Sequence, residues 1–128
     1  MAIPSGSGSE ILQRGWYENL SNTDIFAMFD GTVATTTTSN AVPTNKIVTV
    51  LNITATNMSG TYEELFNIRV EYGGSTIIYL VRLHPIPLSK TFVYNDKIIL
   101  HPTDQLVFNC DSSAAVDLSF NYIIQDWT

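Results

Sequence analysis

The chain has little with which to do chemistry or to hold a polyanion. A single cysteine, Cys110, among 128 residues excludes an internal disulfide framework. Its only histidines, His84 and His101, lack the ligand-pair spacing of a metal site. Basic residues are six, scattered singly as Arg14, Lys46, Arg69, Arg82, Lys90 and Lys97, against twelve acids, for a net charge of −6. Phosphate neutralisation needs clustered Lys and Arg, so nucleic acid is not expected as a partner. No apolar run reaches the roughly 18 residues that span a bilayer. The first ten residues have neither a basic n-region nor an apolar h-region, so neither a signal peptide nor a membrane partner is expected. Charged residues make up only 14% and hydrophobic ones 45%, the reverse of a disordered composition.

What is present is alternation. Val116, Leu118, Phe120, Tyr122 and Ile124 point one way, and Asp117, Ser119, Asn121 and Gln125 the other. Successive Cβ atoms of a strand face opposite sides of a sheet, so this period of two marks a half-buried strand. It recurs at Phe66, Ile68, Val70 and Tyr72, opposed by Asn67, Arg69 and Glu71. No helical period lies between the two segments, and less than ~10% helix is expected.

Turn signals divide the rest. Residues 24–30 read as a short mixed strand closed by Asp30-Gly31, and residues 32–40 as a Thr-rich exposed edge. Strands follow at 46–56 and 64–72, then at 75–83 after the hairpin signal Gly73-Gly74. Pro85 and Pro87 remove ladder donors, making 84–89 a connection or a sheet edge. Strands at 91–94 and 97–100 flank a tight-turn candidate, Asn95-Asp96, and 105–110 precedes the last strand. About eight short strands with such punctuation specify an all-β fold, a single antiparallel β-sandwich of jelly-roll type spanning residues 24–128.

Candidate chemistry reads as structure. Cys110 falls on the core-facing side with Leu106 and Phe108, as a buried thiol does. Glu63, Glu64 and the spread aspartates show no calcium-loop pattern, and the defined separation of a glycosidase pair is not written in a sequence, so these acids read as keeping an apolar sandwich soluble. Tyr62, beside the loop of Met58 to Gly60, could stack on a sugar but fits a core or interface role better. The Asn-X-Ser/Thr triplets at Asn19, Asn52 and Asn57 read as chance in a Thr- and Asn-rich chain. No catalytic, cofactor or metal residue is expected, and the chain reads as a non-enzyme.

The two ends carry the interface expectation. Residues 1–23 join a Gly/Ser lead to Ile11, Leu12, Trp16 and Tyr17, side chains too apolar to float free. They could form a first strand, or an extended N-terminal arm that docks on its own domain or on a neighbour. Ile123 interrupts the polar face of the last strand, and Trp127 sits almost at the chain end. Large apolar groups there need a cover, either the arm or another subunit.

The opening Met1-Ala2-Ile3-Pro4-Ser5-Gly6-Ser7-Gly8-Ser9-Glu10-Ile11-Leu12-Gln13-Arg14 and the closing Tyr122-Ile123-Ile124-Gln125-Asp126-Trp127-Thr128 carry a resemblance. So does Ile86-Pro87-Leu88-Ser89-Lys90-Thr91-Phe92-Val93-Tyr94-Asn95-Asp96-Lys97, followed by Thr103-Asp104-Gln105-Leu106. With these the chain resembles small virion structural proteins of tailed bacteriophages, especially phages of marine bacteria and cyanobacteria. It departs from them at Ile47-Val48-Thr49-Val50 after Pro43-Thr44-Asn45, where many relatives have a shorter proline-glycine turn. The resemblance implies a capsid decoration or cement protein, made in the host cytoplasm and located in the virion. Its partners would be the major capsid protein or other virion proteins, and further copies of itself in a homo-oligomer. A tail, neck or fibre-tip module contacting the host surface is the alternative within the virion. A carbohydrate-binding sandwich is the alternative of another class, and a small lyase or isomerase on the same fold comes last.

Overall fold

The terminal alternation becomes β9 (Val116–Asp126), which buries Val116, Leu118, Phe120, Tyr122 and Ile124 and leaves the intervening side chains wholly or partly exposed. It lies between β1 (Ser9–Leu20) and β3 (Lys46–Asn57), antiparallel to both. The computed structural model describes residues 9–36, 42–73, 75–111 and 115–126. Expectations placed on Gly74, Trp127 and residues 1–8, 37–41 and 112–114 lie outside these.

Beyond β3 the first sheet is completed by β6 (Thr91–Tyr94) and β7 (Ile98–Leu100). The second sheet runs β2 (Ile25–Phe26), β8 (Gln105–Cys110), β4 (Glu64–Tyr72) and β5 (Thr76–Ile86). Between its segments the chain passes back and forth between the two sheets. With β6 and β7 taken as one interrupted strand, this is the eight-stranded double sheet of a jelly roll. Phe66, Ile68 and Val70 of β4 and Leu106 and Phe108 of β8 meet the inner faces of β3 and β9 in one core.

Three local expectations change. Asn95-Asp96 does not close a hairpin, because β6 and β7 both pair with β3. Tyr94 faces Ile53 and Ile98 faces Val50, so the three residues between them step past the irregularity of β3 at Leu51. The strand expected over 24–30 contracts to Ile25–Phe26. Of the Thr-rich edge, the described part is a single bridge from Thr35 to Phe26. Of the two readings of residues 84–89, a connection or a sheet edge, the second holds as far as Ile86: β5 continues through Pro85, where a missing ladder donor is tolerated.

The segment read as an arm is, from Ser9 to Leu20, an integral strand, paired with β9 from Ser9↔Asp126 to Leu20↔Val116. Leu20 is fully buried at its end. Gly15 is the position that makes this pairing possible. It faces Phe120 directly, and a Cβ there would overlap the Phe120 ring. The ring of one strand thus fills the place of the side chain missing from the next. Gly15→Ala is expected to cost about 1–3 kcal/mol in chemical denaturation, as overpacked cores do. An unchanged midpoint would mean that the ring can swing away freely.

Candidate interaction surface

The outer face of the first sheet orders its side chains in rows across the strands. One row runs Leu12, Ile123, Thr49 and Ile99, each opposite the next on β1, β9, β3 and β7. A second runs Trp16, Ser119, Thr54 and Val93. Between them Arg14 faces Asn121, whose amide donates to Asn52 Oδ1 at 2.9 Å. Leu12 is 70% exposed and Trp16 40%. The short polar residues keep the middle of the face low, and Arg14, Gly15, Trp16, Ser119 and Asn121 line a shallow depression there. Such a face offers apolar knobs separated by Arg14 and short hydrogen-bonding side chains.

The expected interface residues divide by strand parity. Leu12, Trp16 and Ile123 share this outer face. Ile11 and Tyr17 point to the other side of β1, opposite Ile124 and Leu118. Tyr17 packs against the core, while Ile11 remains half exposed at its rim. Trp127 lies outside the described residues.

The polar residues on the opposite sheet form a tie between strands. Asp24 accepts from Arg69 Nη2 at 2.8 Å and Nη1 at 3.3 Å, and from Asn109 at 2.7 Å. Arg69 also donates to Glu71, Asn109 accepts from Asn67, and Asn67 Oδ1 accepts the Leu83 N–H at 2.8 Å. That last bond holds Leu83 at a φ of 51°, a left-handed conformation rare for this residue type. The guanidinium, hydrogen-bonded to Asp24, holds its carboxyl below the usual 3.8. A depressed native pKa gives stability that is present above the unfolded value and is lost as pH falls through the native one. Asp24→Asn should therefore lower the melting temperature at pH 7, with the gap from the native protein narrowing below about pH 4. A gap that held constant down to pH 2 would show that the ion pair contributes nothing pH-dependent.

Other groups that looked chemical have structural employment. The Cys110 thiol is buried and donates to the Leu20 carbonyl. Asp104 accepts the N–H groups of Gly73 and His101, joining the β4–β5 turn to the loop after β7. The His84 ring lies 4.3 Å from that of Phe92. Glu64 is buried at the start of β4 while Glu63 is exposed. Burial pushes the Tyr122 phenol up, and its hydroxyl accepts from Gly31 N and donates to the Met28 carbonyl. Among the described residues no group of three or more His, Cys, Asp or Glu could hold a metal ion, and no helix is long and apolar enough to cross a membrane.

The residue that sequence reasoning passed over is Asn57. It is fully buried at the end of β3. Its amide donates to the carbonyls of Tyr62 and Ile86, and its oxygen accepts the Ser59 N–H. The triplet it begins was its only signal, and a buried amide is closed to glycosylation.

No family model and no curated protein matches the chain. Among solved structures, one similar chain belongs to the IBDV viral particle, with 4% identity, a TM-score of 0.49 and 96% of this chain covered. This chain spans 32% of that one's length. Another comes from Bacillus endospore appendages, which form disulfide-linked pili. There the identity is 12% and the TM-score 0.48, with 99% of this chain and 96% of the other covered.

Proposed function

We propose that the chain is a non-enzymatic virion structural protein of a tailed bacteriophage, acting as a capsid decoration protein that binds the assembled shell. The observation that carries a role in protein binding is the outer face of the first sheet, where Leu12, Trp16, Ile99 and Val93 stand exposed around Arg14 and short Ser, Thr and Asn side chains. Exposed apolar groups in such an array are what a protein partner covers, and a tryptophan among them is the usual anchor. The hydrogen bonds that tie Asn57, Asp104 and Cys110 to the backbone support the non-enzymatic half of the reading. The phage assignment rests on the sequence resemblance.

The test is co-sedimentation of the purified protein with shells of the phage that encodes it, with its position then located by density in intact particles. Saturable binding is expected, and Trp16→Ala should weaken it about tenfold or more without altering the circular dichroism. Density at the tail, neck or fibre tip would replace decoration with that alternative. Binding to a glycan array with none to particles would favour a carbohydrate module.

A further inference from the structure

The edges of the two sheets are unequally protected. An edge strand offers unpaired N–H and C=O groups to any other chain, and proteins blunt it by shortness, charge, proline or bulges. β2 is two residues long, and the edge made by β6 and β7 is broken between Tyr94 and Ile98. β1 carries Glu10, Arg14 and Glu18. β5 is eleven residues long, pairs among the described residues with β4 alone, and has no charge from Thr76 to Val81. Its far half is blunted by two register shifts and Pro85, whereas among the described residues its near half carries only the Arg82 guanidinium, 5.0 Å from the centre of the Tyr79 ring. In that near half Ile77, Ile78 and Tyr79 are 53, 45 and 43% exposed.

We propose that the near half of β5 is a self-association edge, on which a second copy of this chain pairs antiparallel about a two-fold axis at Ile78. The sequence is self-complementary in that register. Ile78 meets its own copy, and Ile77 meets the partner copy's Tyr79, an aromatic to β-branched pair of the kind that stabilises sheets. The faces agree as well. Ile77 and Tyr79 stand opposite Glu71 and Arg69 on β4, whereas Ile78 stands opposite the buried Val70. Across the axis each outward row would then run acid, isoleucine, tyrosine, arginine. The partner's row runs the same way in reverse, so each copy's acid-bearing end lies toward the other's base-bearing end. A chain of net charge −6 meets itself here at a strand with no acid. The register shift after Tyr79 and the turn at Gly73 limit the ladder to the residues around Ile78. The two four-stranded sheets become one of eight, joined through an isologous contact. The proposal needs no particle and stands apart from the virion reading.

The test uses the full chain in solution, without particles. Sedimentation analysis should show a concentration-dependent dimer, and Ile77→Lys should weaken it about tenfold or more. Ile77 faces outward, so that variant should melt as the native protein does. Ile78→Cys should form a disulfide dimer under mild oxidation, because directly opposed antiparallel residues lie about 4.5–5.5 Å apart, within disulfide reach. Ile99→Cys, exposed on the other sheet, should cross-link far more slowly, and the buried Cys110 should not take part. A monomer at every concentration, a dimer indifferent to Ile77→Lys, or equal cross-linking of the two cysteine variants would each overturn the proposal.

Discussion

Phe120→Ala is expected to lower stability by about 3–5 kcal/mol, the range for deleting a large core side chain. That corresponds to a drop of roughly 10–20 °C in melting temperature for a domain of this size. Phe120 is fully buried, with ring centroids 5.4 Å from Phe108 and 5.9 Å from Tyr122. Its ring also covers Gly15, which has no side chain to collapse into the space left. A double-mutant cycle isolates this contact. Gly15→Ala alone should destabilise, but in the Phe120→Ala background it should be neutral or restore part of the loss. Additive losses would show that the ring does not rest on Gly15, and a loss below about 1 kcal/mol would place Phe120 outside the core.

The second large effect is expected at Asn57. Asn57→Ala removes the partner of two carbonyls, at Tyr62 and Ile86, and of the Ser59 N–H. A buried polar group left unmatched costs about 1–3 kcal/mol, so a total of roughly 2–5 kcal/mol is expected from equilibrium unfolding. Asn57→Asp keeps the shape but turns an acceptor toward two carbonyls, and should do no better than alanine. If aspartate restored stability, the role of Asn57 would be to fill space and accept the Ser59 N–H, and the two donated bonds would be of little weight.

The strands that sequence reading located are those with one face in the core and their own apolar alternation, β4 and β9 above all. β1 was ambiguous for a physical reason. Its inward positions include Gln13 and Gly15, and the apolar group filling the place at Gly15 belongs to Phe120, more than a hundred residues away. The jog between β6 and β7 carries turn residues, yet their partner is β3, so local chemistry could not tell a step from a hairpin. Asn57 and the Asp24–Arg69 pair act through partners that only the folded chain brings near. For the surface, Leu12, Trp16 and Ile123 were legible as excess apolar groups. Their arrangement in rows with Ile99 and Val93 depends on register, which no single strand encodes.

The placement of β1 beside β9 has a mechanical consequence. Ser9 and Asp126 are cross-strand neighbours, so the two described ends lie side by side at one end of the β1–β9 ladder. Antiparallel ladder bonds lie perpendicular to the strands. Tension that pulls these two ends apart therefore acts along the bonds and loads them one pair at a time, opening the β1–β9 seam like a zip. Tension between Ser9 and an anchor at the far end of β9 would load the whole ladder at once in shear. The same fold is thus weak against a pull between Ser9 and Asp126 and strong against a pull applied along β9.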